Sequence, residues 1–111
     1  MRPPQENDVF HAIAHPARRA ILVGLKHGEQ PSSALAEPFA VSHAAISQHL
    51  KVLKEALLVS ERRAGRQRLY RLSAKPLQEV VSWVSEFEAL WNRRLDALGD
   101  YLDRKHGRPR R

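Results

Sequence analysis

Val41 to Leu72 reads VSHAAISQHLKVLKEALLVSERRAGRQRLYRL, and its reading decides the fold. Ser42 is a good N-cap, since its hydroxyl can accept a free N–H of a first helical turn. From it a helix extends to about Ala56. At 100° per residue, Ala45, Ile46, His49, Leu50, Val52 and Leu53 gather on one side of this helix. His43, Ala44, Ser47, Gln48, Lys51 and Lys54 take the other. Leu57-Leu58-Val59 then passes into Glu61-Arg62-Arg63, a turn at Ala64-Gly65, and Gln67-Arg68-Leu69-Tyr70-Arg71-Leu72. Apolar and charged residues alternate around a glycine, which predicts two antiparallel strands.

Working outward, a short apolar helix with Leu35 is expected from Ser32 or Ser33 to about Pro38. Phe39 to Val41 form a tight connection to the helix that follows. That spacing is helix-turn-helix spacing. Upstream, Val9, Phe10, Ile13 and Ala14 predict a helix from Asn7 to about Ala14. His15-Pro16 ends it and opens a second helix, with Pro16 in the first turn. Ala17, Ala20, Ile21, Val23, Gly24 and Leu25 are its expected inward residues, and it stops near His27-Gly28. Downstream, Ser73 or Lys75-Pro76 starts a helix expected to continue unbroken to about Arg104.

The chain has 111 residues, a formal net charge of +7 and no cysteine. That length suits one domain: an arm at residues 1–6, a folded body at 7–104, and a basic tail at 105–111. The body divides into a helix-turn-helix at about 32–56, a hairpin at about 58–72 and a long helix at about 75–104. Disulfides, thiolate metal sites and cysteine nucleophiles are excluded. No signal-peptide core or membrane-length apolar run is present, so a soluble cytoplasmic protein without a membrane partner is expected. The positive charge favours a polyanionic partner, and arginine far outnumbers lysine, which suits phosphates and guanine edges.

A duplex-reading helix needs small side chains for close approach, amides and hydroxyls for base edges, and cations for phosphates. His43, Ala44, Ser47, Gln48 and Lys51 meet that need. An ordinary amphipathic surface helix would also show a polar outer face. The hairpin weighs more. Arg62, Arg63, Arg66, Arg68 and Arg71 crowd around one turn, and like charges so close repel each other. Shielding an edge strand would take one or two charges, so contact with phosphates or a minor groove is the better account of five.

With HPARRAILVGL, SSALAEPFAVSHAAISQHLKVLKEALLVS and ERRAGRQRLYRL in this order, the chain resembles the winged helix-turn-helix repressors of the ArsR/SmtB family. The resemblance covers about Asn7 to Leu102. It implies a mainly α fold with a small β-hairpin wing and a long C-terminal dimerisation helix. It also implies a homodimer on double-stranded DNA near its own promoter, repressing by occlusion. Positions matching His43, Ala44, Ser47 and Gln48 would face the major groove, with the wing reaching toward the minor groove. Two departures stand out. His15 replaces the usual Asp or Asn before the proline, and the glycine usual after Ala56 is missing.

Many members of that family sense metals. The cysteine-containing motif of the third helix is replaced here by Ser32-Ser33-Ala34-Leu35-Ala36, which offers no thiolate or imidazole. The carboxylate/histidine site of the last helix would need two histidines where this segment has His106 alone. Asp96, Asp100 and Asp103 have helical spacing but read as a solvated face. His11 and His15 are four apart, yet Pro16 places His15 at a helix boundary. His49 reads as a packed, hydrogen-bonded histidine. No metal, no cofactor and no catalytic residues are therefore expected, since no base-and-orienter arrangement or glycine-rich phosphate loop is present.

Leu77, Val80, Val81, Val84, Phe87, Leu90, Trp91, Leu95, Leu98 and Leu102 cover about half of the last helix, more than the ~100° a single core requires. One part would pack on the domain; Val84, Phe87, Trp91, Leu95 and Leu98 would meet a second copy. Packing wholly within one chain is the alternative. An unidentified small-molecule effector could also bind at such an interface. Two rival functions remain: a metal- or small-molecule-responsive sensor, and a protein-interaction module that no longer needs DNA.

Overall fold

The computed structural model describes residues 8–38 and 42–106. The arm, the start of the first helix at Asn7, the Phe39–Val41 connection and the tail from Gly107 lie outside the described residues. In chain order the elements are α1 (Val9–Ala12), α2 (Pro16–Gly24), β1 (Gln30–Pro31), α3 (Ser32–Ala36), α4 (His43–Glu55), β2 (Val59–Ala64), β3 (Gln67–Leu72), α5 (Leu77–Ser85) and α6 (Glu88–His106). The chain groups into two units, one up to Val80 and one from Val81.

The first unit holds the core. Asp8 caps α1 through its carboxylate, which accepts from His11 N–H at 2.8 Å. His15 caps α2 instead of the usual Asp or Asn, its Nδ1 accepting from Ala17 N–H at 3.1 Å. Inside α2 the buried residues are Ile21 and Leu22, followed by Leu25. Val23 is 62% exposed and Ala20 is exposed, which corrects the expected inward set. The reason is helical phase. Residues 21, 22 and 25 share one face, and Val23 lies about 200° from Ile21. These side chains meet Leu35, Ile46, Leu50, Leu53, Leu58, Val59 and Tyr70 in one core, with Phe10, Ile13, Val52, Leu72, Leu77 and Val80 packed on its margin.

The sheet has three strands in the order β1-β3-β2, all antiparallel. Two strands were expected; the third, β1, pairs Gln30 with Tyr70 and Pro31 with Leu69. Two residues at a sheet edge leave too little alternation to be read, and Pro31 fits only such an edge. The hairpin closes on Gly65-Arg66, one residue later than expected, because Ala64 pairs with Gln67. Gly65 has φ +65° while Arg66 is not among the residues with positive φ. That combination is the type II′ pattern favoured in two-residue hairpins. Arg66 thereby stands at the tip.

Helix α4 ends in a Schellman motif. Leu58 N–H donates to Leu53 O at 3.0 Å, Leu57 N–H donates to Lys54 O at 3.0 Å, and Leu57 takes φ +62°. Leu53 and Leu58, whose apolar contact commonly accompanies this motif, are both fully buried. The turn thus keeps the geometry a glycine would give, but with a leucine in the left-handed region. Leu57 is 72% exposed, so its side chain returns little burial energy for that strain. Leu57→Gly is expected to stabilise the protein by about 0.5–1 kcal/mol, the relief of left-handed strain less the added freedom of glycine when unfolded. Urea denaturation measures this; a loss of stability would show that the leucine side chain is buried against something else.

The expected unbroken last helix is corrected to α5 and α6. Ser85 Oγ donates to Val81 O at 2.8 Å, a back-bond that bends helices. Glu86 and Phe87 N–H then donate to Trp83 and Val84 O, three residues back, before Trp91 N–H to Phe87 O resumes the α pattern. Trp83 and Phe87 pack edge to face across the break, ring centroids 5.3 Å apart. Among the described residues no helix is long and apolar enough to cross a membrane.

Candidate nucleic-acid interface

Helix α4 follows α3 as the second helix of a helix-turn-helix, and its start is fixed by Ser42, whose Oγ accepts from Ala45 N–H at 3.2 Å. Burial of Ile46, Leu50 and Leu53 sets its rotation. With that face inward, His43, Ala44, Ser47, Gln48 and Lys51 are all exposed and form one strip along the helix. Lys54, expected on the same outer face, is instead half-buried and bound to Glu61 on β2. This ion pair is the largest influence holding Glu61 below the ordinary carboxylate range. The other Glu61 oxygen faces Arg68 Nη1 at 3.8 Å. Tyr70, the cross-strand partner of Glu61, has its hydroxyl pushed up first by burial and then by that carboxylate.

The wing arginines fall into two groups, a division the sequence does not show. Arg62 is gripped by Glu29, with Nε to Oε2 at 2.8 Å and Nη2 to Oε1 at 2.9 Å. The hydrogen bond with Arg62 holds the Glu29 carboxyl below its ordinary value and raises the guanidinium's. Arg68 has the longer pair with Glu61. Among the described residues, Arg63 and Arg66 make no ion pair. Arg63 also stands directly opposite Arg68 in the ladder. Like charges in that relation are destabilising. The crowding at the tip is therefore real, but Arg62 has a structural partner that sequence reasoning missed.

A second feature also escaped it. Arg18 Nε donates to Ala12 O at 2.7 Å and Nη2 to His11 O at 3.1 Å, while Arg19 Nη1 donates to Ile13 O at 2.9 Å. These carbonyls end α1, where acceptors lack helical partners. Arg18 Nη1 also meets His49 Nδ1 on α4 at 3.4 Å. Two arginines in the first turn of a helix oppose its dipole, which was the available signal that they are held elsewhere.

Among the described residues no group of three or more His, Asp or Glu could hold a metal ion. His15 and His49 do lie ring to ring at 4.5 Å. His15 Nδ1 accepts from Ala17 N–H, and His49 Nδ1 lies 3.4 Å from Arg18 Nη1.

A helix-turn-helix with an exposed polar strip, beside a hairpin with cations at its tip, has the parts needed to grip a duplex. Comparison with known proteins agrees. A family profile described as "Helix-turn-helix domain" matches residues 13–62. The transcriptional repressor SdpR of Bacillus subtilis is 41% identical over 81 residues, 73% of this chain and 90% of that protein. The chain belongs to the ArsR/SmtB family. The HTH-type transcriptional regulator Rv2034 of Mycobacterium tuberculosis is 39% identical over 94 residues, 85% of each chain. A crystal structure of an ArsR family transcriptional regulator superposes with a TM-score of 0.69 at 31% identity, covering 80% of this chain and 98% of that one. As an ArsR/SmtB member, the chain is a winged helix-turn-helix DNA-binding transcriptional regulator, not an enzyme.

Proposed function

We propose that the protein represses transcription as a homodimer bound to an inverted-repeat operator, with one α4 in each of two successive major grooves. The exposed strip from His43 to Lys51 is the observation that carries this reading. Ser47 and Gln48 offer a hydroxyl and an amide to base edges. Ala44 allows close approach at the start of the helix, and His43 and Lys51 meet base edges or nearby phosphates. Arg63 and Arg66 reach the flanking backbone or minor groove unencumbered. Arg68 joins them at the cost of its long pair with Glu61. Arg62 contacts DNA only by leaving Glu29, so it contributes less.

The second copy is supported by α6. Trp91, Leu95, Leu98 and Leu102 recur at four-, three- and four-residue steps and are 53%, 63%, 52% and 43% exposed. That period forms an apolar seam of the kind that helices bury against each other. Val84 is half-buried and Phe87 exposed near the α5–α6 break, extending the apolar surface. Such aromatic anchors commonly dominate interface energy.

Gln48→Ala or Ser47→Ala is expected to narrow the affinity gap between operator and random duplex, each good bidentate base contact being worth ~1–3 kcal/mol. Fluorescence anisotropy with both duplexes measures the gap. An unchanged ratio for both variants would remove α4 as the reader.

A further inference from the structure

We propose that His15, Arg18 and His49 form a proton-sensitive latch that positions α4 for the duplex, so that mild acid weakens operator binding. The inference rests on α4 being the reading helix. Its geometry, however, is independent of any DNA contact.

The Arg18 guanidinium has donors only, so His49 Nδ1 must accept from it at 3.4 Å with a free lone pair. The backbone N–H of Ala17 is likewise only a donor, so His15 Nδ1 must be unprotonated to cap α2 at 3.1 Å. Both contacts therefore use Nδ1 as a lone-pair acceptor. They lie 4.5 Å apart, tilted at 52°. Arg18 is anchored through its other nitrogens to the Ala12 and His11 carbonyls. One guanidinium thus joins the end of α1, the start of α2 and the middle of α4.

A proton on His49 Nδ1 would turn that contact into donor against donor, beside a permanent cation. The His15 ring, 4.5 Å away and held by its cap on α2, leaves a protonated His49 little room to turn from that clash. The charges acting on His49 come from His15 at the start of α2 and Arg18 within it; among the described residues, no carboxylate of α1, α3, α4 or β2 opposes them. Burial first, then the neighbouring His15 ring and Arg18 guanidinium, keep the His49 ring below the ordinary imidazole value. The unfolded chain consequently takes up the proton first. Stability then falls as pH drops through the ordinary imidazole value of about 6.5, and the loss levels off once folded His49 is itself protonated. His49 follows Gln48 directly, so a loosened contact here shifts the base-reading strip.

Added positive charge would by itself strengthen attraction to DNA. The latch predicts the opposite sign. Operator affinity and thermal stability of the full chain are measured at constant ionic strength between about pH 7.5 and about pH 5.5, across the imidazole range. Wild type is expected to lose operator affinity by about fivefold or more, the low end of ordinary coupling between sites. His49→Gln, which keeps His43 and the other histidines, should lose most of that response. His15→Asn retains a side-chain cap on α2 but removes the ring beside His49, and should bind operator at about pH 7.5 as wild type does, with a reduced acid response.

Equal acid responses in wild type and both variants would overturn the latch, as would wild-type affinity that rises in acid. If His49→Gln does not fold, His15→Asn and the wild-type His49 ring resonance decide. A ring that titrates at or above the ordinary value contradicts the latch. Absence of operator binding at about pH 7.5 would instead overturn the reading of α4 itself.

Discussion

Leu95→Arg is expected to lower affinity for an inverted-repeat operator by about 100-fold or more while leaving the helix-turn-helix folded. Leu95 is 63% exposed in the single chain, so an arginine there meets water and costs little. In a dimer the same position lies inside the α6 seam. An unpaired charge buried between two apolar faces is strongly destabilising. Loss of the second copy removes one of two linked half-site contacts, and such linkage is commonly worth ~10²–10⁴ in affinity. Sedimentation should show a monomer with native-like helical content that binds a single half-site about as well as wild type does. A variant that stays dimeric and binds the full operator normally would show that the seam lies elsewhere.

The second large effect concerns the wing. Replacing Arg63 and Arg66 together by alanine is expected to weaken binding to all duplexes alike. The slope of log affinity against log salt should flatten by about 1.8, from ~0.9 for each phosphate no longer neutralised. Relief of the Arg63–Arg68 opposition should at the same time raise stability by about 0.2–1 kcal/mol. Binding and stability moving in opposite directions is the mark of charge kept for a ligand. Arg62→Ala should change the slope less, since Glu29 already neutralises that guanidinium in the free protein. Equal slopes for wild type and the double variant would take the wing tip out of the contact set.

These expectations rest unequally on sequence and structure. The helix-turn-helix was legible because Ile46, Leu50 and Leu53 have a strong period and Ser42 is an unambiguous cap. The wing was legible because alternation around Gly65 leaves few other conformations. What was hidden is long-range. Glu29 and Arg62 are 33 positions apart, and nothing local to either announces the other. Lys54 looked solvent-facing by helical phase, yet β2 brings Glu61 under it. The break at Ser85 depends on one hydroxyl turning back to a carbonyl, an option open to any helical serine. Val23 and Leu22 were exchanged because both are apolar, and one residue of phase separates core from surface.

At Leu57 the sequence pointed to a difference that the backbone declined. The missing glycine after Ala56 would by itself favour a different turn into the wing. The burial of Leu53 and Leu58 instead holds the Schellman geometry and leaves the strain on Leu57. Tertiary packing overrides local preference here, and the wing keeps its place beside α4.

The central claim is that two copies of one α4-and-wing unit read a twofold-symmetric site. Selection of bound duplexes from a random library tests it most directly. Enriched inverted repeats are expected, with half-site centres about one duplex turn apart, ~34–36 Å. Enrichment of single, unrepeated motifs, or no enrichment over the starting library, would contradict it.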